Sequence, residues 1–260
     1  MQAIQDKAPN FAKVLKAAGY DRELNSENIF TVWAPEIDDA TAENYIKQIN
    51  NCQKDEVVKK FIKSHIARFN HSITNTADTI TLDNSKLIAV GTAQKPTFGA
   101  SNIKTSNISC TNGILHLIDT PNPFSPNIYE LIEERQAGSQ LEHTLYTFLN
   151  DNDSARLDEE KSVYRGVDDN GNRIYVDSVT ERYHRPLMSA DALIYEEDSN
   201  YTAIIPTPEA YQKRYNAALS LLKFNTAIVD RAKVGTADSL ANYYANMFAM
   251  RDLYYNNNMQ

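Results

Sequence analysis

Two histidines set among apolar residues are the first places in this sequence where chemistry could occur. His116 stands in TNGILHLIDT, Thr111 to Thr120, and His65 in VVKKFIKSHIARF, residues 57–69. An imidazole titrates near neutrality, so it can act as a general base, a metal ligand or a hydrogen-bonded part of the framework. A catalytic histidine needs a nucleophile or a carboxylate converging on it, and neither segment supplies one at a recognisable spacing. Strand alternation puts Ile114, His116 and Ile118 on one face, and Leu115, Leu117 and Asp119 on the other. His65 falls on the apolar side of a helical stretch with Val58, Phe61, Ile62 and Ile66. Both histidines read as structural, with partner recognition as the competing role for His65.

The other candidates are weaker. Cys52 and Cys110 are far apart and in no Cys-x-x-Cys arrangement, so they make neither a zinc site nor a disulfide framework. Asp151, Asn152 and Asp153 suggest a calcium loop, but Ala155 and Arg156 occupy positions where such a loop needs a ligand and a glycine. RYHRP, residues 182–186, brings Arg182, Tyr183 and Arg185 together and could meet an acidic group. No nucleophile elbow, phosphate loop or dinucleotide fingerprint is present. The residues make no case for an enzyme, a metal or a cofactor.

Composition narrows the classes. The chain has 260 residues, 42% hydrophobic and 23% charged, as in a globular protein large enough to bury a real core. Its formal charge of −8 argues against a general nucleic-acid binder, which needs a basic surface to displace counterions. No apolar run approaches the roughly 20 residues that cross a bilayer.

The elements that must position these residues follow from periodicity. Phe11, Val14, Leu15 and Ala18 mark an amphipathic helix, and IFTVWAP reads as a buried strand stopped by Pro35. Two helical stretches follow, DATAENYIKQIN and DEVVKKFIKSHIARF. From Ser72 to Asp119, short runs rich in Thr, Ile and Val are divided by turn dipeptides such as Asn112-Gly113, which predicts a series of strands. TPNPFSPN, with three prolines, is the best domain boundary. Beyond it, Leu141, Leu145, Phe148 and Leu149 form a helical stripe. Asn170-Gly171 sits between alternating runs as a hairpin turn. Thr207 and Pro208 open another helix, and SLANYYANMFAMRDLYY reads as the last one.

The order then repeats. FTVWAP, residues 30–35, parallels YTAIIP, residues 201–206, and VVKKFIKSHI parallels SLANYYANMF, which sets Phe61 against Tyr243 and His65 against Met247. The sequence thus divides into domains 1–122 and 123–260, the second carrying an insertion at 151–199.

FTVWAPEIDDA resembles the first signature box of fasciclin-type domains, here Thr31, Ala34 and Pro35. FIKSHIA resembles that family's central helix ending in a histidine, with Ser64 where a tyrosine is usual. ISCTNGILHLIDT resembles its second box, here Asn112, Gly113, His116 and Asp119. Glu36, Ile37 and Thr41 depart from the first box. The resemblance implies an α+β fold, a β-strand wedge with several packed helices, with the second copy divergent and incomplete. It implies a structural role for His116 and has linked the region of His65 to adhesion.

The expectation is a non-enzymatic extracellular or cell-surface adhesion protein binding a protein or polysaccharide partner. A lipid anchor would lie upstream of Met1, as in bacterial surface lipoproteins, and the native chain would continue past Gln260. The alternative is a glycan-capturing accessory protein of a bacterial nutrient-uptake system. Its platform would be Tyr164, Tyr175 and Tyr183, and it would require those rings to lie coplanar in a groove.

Overall fold

The computed structural model describes residues 1–150, 153–159, 161–168, 170–184, 194–195, 197, 200–224 and 236–256. The chain falls into two compact units, Met1–Ser125 and Pro126–Gln260.

The first unit opens with helices α1 (Gln2–Lys7), α2 (Pro9–Ala17) and α3 (Asp21–Leu24). Pro9 at the first turn of α2 pre-sets φ and gives up no intrahelical bond. Phe11, Val14 and Leu15 on that helix are fully buried, as their spacing predicts. Strand β1 (Phe30–Pro35) is buried at every position, the signature of a strand covered on both faces. Helix α4 (Asp39–Gln48) is capped by Asp38, whose carboxylate accepts from Thr41 N at 2.7 Å. The chain then kinks at Cys52, which has a left-handed φ of 65°. It continues through α5 (Lys54–Val57) and irregular helical turns to His65.

The helical reading of residues 55–69 runs too far. Ile66–Arg68 is strand β2, antiparallel to β1, with Val32 opposite Ile66 and Phe30 opposite Arg68. The apolar spacing of Ile62 and Ile66 fits either structure, and the pairing with β1 decides it.

The predicted series of strands is present: β3 (Asp78–Thr81), β4 (Leu87–Thr92), β5 (Lys95–Phe98), β6 (Ser101–Cys110) and β7 (Gly113–Ile118). They join β1 and β2 in one seven-stranded sheet, ordered β2-β1-β7-β6-β5-β4-β3. Within it only β1 and β7 run parallel, with Phe30 opposite Gly113 and Pro35 opposite Ile118. Two apolar cores result. One packs the helices against Phe30, Val32, Ala34, Ile66 and Leu115. The other lies among the strands and holds Trp33, Ala67, Phe98, Ile103 and Ile118.

The second unit has helices α6 (Ile128–Arg135), α7 (Gln140–Asn150), α8 (Pro208–Leu221) and α9 (Ala237–Met250). Asn127 and Glu130 close a capping box on α6, and Thr207 caps α8. The predicted stripe Leu141, Leu145, Phe148 and Leu149 is buried in one core with Met250, Leu253 and Tyr254. The last helix stops at Met250. The residues after it turn into a short strand instead of continuing the helix.

The described residues of this unit also form three strand pairs. β8 (Asp153–Leu157) pairs with β11 (Thr180–His184), and β9 (Val163–Val167) with β10 (Arg173–Asp177). β12 (Tyr201–Ala203) pairs with β13 (Tyr254–Asn256). The Asn170-Gly171 turn joins β9 to β10, held by the Asp168 carboxylate, which accepts from Asn170 N and Asn172 N.

Candidate functional site

His116 lies on β7 opposite Trp33 of β1, and neither ring is exposed. The imidazole stacks on the indole at 5.3 Å and 12°, and Phe98 stacks on that indole at 4.6 Å and 13°. Its polar edges are both occupied. Nδ1 accepts from Asn107 N at 3.2 Å, and Nε2 faces the His71 carbonyl at 3.1 Å. A carbonyl can only accept, so Nε2 carries the proton and the ring is neutral. Burial pushes its pKa down to about 4, the largest influence on it. Asn107 makes this geometry possible. It adopts φ 57° at a register shift in β6, and its amide holds both Ile73 N and Ile73 O.

His65 is also fully buried and uses the opposite tautomer. Nδ1 donates to Phe61 O at 2.7 Å, and Nε2 accepts from Asn122 N at 2.8 Å. It meets Phe61 and Phe11 edge-on, and burial again pushes its pKa down to about 4. The ring clips the end of the helical segment to the backbone after β7. The residue is 0% exposed.

The remaining box residues hold loops. Thr31 Oγ1 donates to Phe69 O at 2.7 Å and accepts from His71 N, fixing a loop in which Phe69 has φ 65°. Ala34 is buried opposite Leu117, and Pro35 lies opposite Ile118 at the end of the parallel pair. Asn112 Nδ2 reaches Leu24 O at 3.0 Å and Ser26 O at 3.2 Å, gathering the loop before β1. Gly113 has φ 150°, and a Cβ there would lie 1.8 Å from Phe30 O. Only glycine lets β7 pass β1 so closely. Asp119 receives Asn102 N at 2.9 Å and Asn102 Nδ2 at 2.8 Å, bonds that hold its carboxyl below the usual range.

A cleft of about 740 Å³ opens on the first unit, walled by Tyr45, Phe61, Phe124, Pro121 and Pro123 with Gln48 and Gln53. Tyr45 stacks on Phe61 at 3.9 Å and 15°. Lys60 pairs with Glu56 and lies 5.8 Å from the Phe124 ring centroid. Among the described residues no group of His, Cys, Asp and Glu could hold a metal ion.

The Fasciclin domain family model matches residues 6–121. The first unit is a fasciclin domain. A solved FAS1 domain pair from the insect cell adhesion molecule Fasciclin I is similar at 12% identity, covering 95% of this chain and 71% of that one. Its TM-score is 0.32. No curated protein matches.

Fasciclin domains are generally adhesion and interaction modules. In this one the residues that looked most chemical are turned inward, and the cleft wall escaped the sequence reading. Phe124 had a signal, an aromatic between Pro123 and Ser125 in a segment read only as a boundary. Tyr45 and Gln48 had none, because one helical turn of mixed polarity looks like any solvated face.

In the second unit, Tyr164 and Tyr175 are cross-strand neighbours. Their rings meet at 6.1 Å and 74°, edge to face, so they do not form a coplanar platform. Arg182 and Tyr183 lie on β11, opposite Ala155 and Ser154 of β8. Arg185, Asp151 and Asn152 lie outside the described residues. No helix among the described residues is long and apolar enough to cross a membrane.

Proposed function

We propose that this chain is a non-enzymatic adhesion and interaction protein that works at the cell surface. Its fasciclin domain engages a protein partner through the cleft between Tyr45 and Phe124. The observation that carries this reading is the division of labour among side chains. The buried imidazoles are each fully bonded to backbone, while the cleft on the first unit is lined by aromatic rings and prolines together with the amides of Gln48 and Gln53 and the Lys60–Glu56 pair. Large rigid aromatics at the centre of a patch supply most of the energy in protein recognition, and amides add bonds that fix orientation.

The test is surface-plasmon binding of the purified chain to extracellular proteins and polysaccharides, run beside a Tyr45→Ala/Phe124→Ala variant. Saturable protein binding that weakens on the order of 30-fold in the variant is expected. Binding that the variant leaves unchanged removes the cleft from the account. A polysaccharide-only response transfers the cleft to glycan capture, the alternative that the crossed rings of Tyr164 and Tyr175 do not favour.

A further inference from the structure

One side chain is bonded to both walls of the cleft. Tyr45 and Phe61 belong to the helical wall, and Pro121, Asn122, Pro123 and Phe124 to the segment that follows β7. His65 does not line the cleft. Its Nδ1 donates to Phe61 O at 2.7 Å on the first wall, and its Nε2 accepts from Asn122 N at 2.8 Å on the second. Proline has no N–H. The Asn122 amide is therefore the only main-chain donor from residue 121 to residue 123, and the imidazole takes it.

Protonation acts on one of these bonds and spares the other. A charged imidazole has an N–H on both nitrogens. Nδ1–H still donates to Phe61 O, but Nε2–H meets the Asn122 N–H, donor against donor. The surroundings give such a charge no relief. Phe11 and Phe61 meet the ring edge-on, and Phe98 lies 6.3 Å away. Of the charged groups on the elements around it, Lys13 pairs with Asp39, Lys60 with Glu56, and Lys63 and Arg68 with Asp83. Lys16 and Lys95 are exposed, and Lys86 lies over the Phe124 ring. Asp119, just before the segment, is bonded to Asn102. None of these groups shifts the ring: burial lowers its pKa from 6.5 to about 4, and the Phe61 bond alone opposes that. His116 differs in place, because its acceptor bond goes to Asn107 within the β6–β7 pair and not to a segment after the sheet.

We infer that His65 is an acid-operated latch on the cleft: in acid the segment 121–124 comes away from the ring while the rest of the fasciclin domain stays folded, and the cleft loosens. That a bound partner is then released rests on the proposed use of the cleft; the latch itself does not. Local opening of a segment takes less free energy than global unfolding, and protonated histidines shift packed elements in this way. The latch holds fully above pH 6.5 and weakens as the pH falls toward 4. With those two values, one histidine makes the open form roughly 50-fold more frequent at pH 4.5 than at pH 7. Global unfolding exposes His65 and His116 together, so its dependence is the square of that, roughly 2,500-fold.

The experiment is amide hydrogen exchange followed by NMR on the full chain between pH 7 and 4.5. The readout is the protection factor of the Asn122 amide beside that of the most protected amides of β1. Asn122 should lose roughly 50-fold in protection over that range and the β1 amides roughly 2,500-fold. His65→Gln keeps a donor and an acceptor but does not titrate. In it Asn122 should hold a constant protection factor, and β1 should keep only the dependence that His116 supplies. His116→Gln leaves the latch whole, so Asn122 should retain its roughly 50-fold change there; this variant covers the case in which His65→Gln does not fold. No partner is present in any sample, so a failed latch leaves the cleft reading standing, and a cleft that binds no protein leaves the latch. Three results overturn the proposal: an Asn122 protection factor that stays flat from pH 7 to 4.5; one that equals that of β1 at every pH, so that the segment opens only by global unfolding; or a pH dependence at Asn122 that survives in His65→Gln.

Discussion

Acidification should unfold the fasciclin domain through His65 and His116, well above the pH at which ordinary carboxylates titrate. Each ring has an unfolded pKa of 6.5 and is pushed down to about 4 by burial in the folded domain. The unfolded chain therefore binds these two protons first. Stability is fully present above pH 6.5 and is lost as the pH falls toward 4. At about 1.4 kcal/mol per pH unit of displacement, each ring removes on the order of 2–3 kcal/mol between pH 7 and pH 4.5. Together they remove on the order of 5 kcal/mol, a large fraction of the stability of a domain this size.

The domain carries its own reporter, since Trp33 is the only tryptophan in the chain and stacks directly on His116. Urea unfolding followed by its emission should show a midpoint that drops by roughly 2 M or more over that interval, for a slope of about 2 kcal/mol per M. His116→Gln should lower the midpoint at pH 7 and remove about half of the pH dependence. Asp119 is held low by Asn102, so its contribution is present above the ordinary carboxylate value and is lost below this window. A midpoint flat from pH 7 to 4.5, or an unchanged pH slope in His116→Gln, would refute the reasoning.

Two other substitutions test the second box. Gly113→Ala places a methyl group against Phe30 O and should destabilise the domain by about 3 kcal/mol or more, read as a lower urea midpoint on the Trp33 signal; a change under about 1 kcal/mol would mean that the strands part easily there. Asn112→Ala frees the carbonyls of Leu24 and Ser26 at a cost of about 1–3 kcal/mol, and limited proteolysis should then cut between residues 24 and 29 before any other site in the domain.

What could be read from the sequence was whatever repeats locally. Buried β1, the α2 stripe, the strand series and the Asn170-Gly171 hairpin each follow from period and turn chemistry within a dozen residues. What could not be read depends on partners far along the chain. Ile66 joins a strand because β1 is waiting 34 positions earlier at Val32. The left-handed Asn107 and Phe69 are invisible until His116 and Thr31 are placed against them. The cleft is harder still. Tyr45 meets Phe61 across a kink, and Phe124 arrives from beyond β7, so no window of sequence contains the wall. The resemblance to fasciclin boxes located Asn112, Gly113 and His116 but left open which bonds each of them makes.

The two histidines show why residue type alone misleads about chemistry. A neutral imidazole is a flat ring that stacks like a phenyl group, yet carries one donor and one acceptor in its plane. The imidazole carries these two groups on separate edges of the ring, whereas a tyrosine has both on one oxygen. At position 116 it joins β6 to the loop at His71; at position 65 it joins a helix end to Asn122. Phenylalanine would fill the space and orphan the backbone groups, at about 1–3 kcal/mol each. Glutamine would satisfy them and lose the stack. The chemistry-bearing residue is thus favoured for bonding in two directions inside an apolar core, and acid sensitivity comes with that choice, because protonation turns the acceptor that holds Asn107 or Asn122 into a second donor.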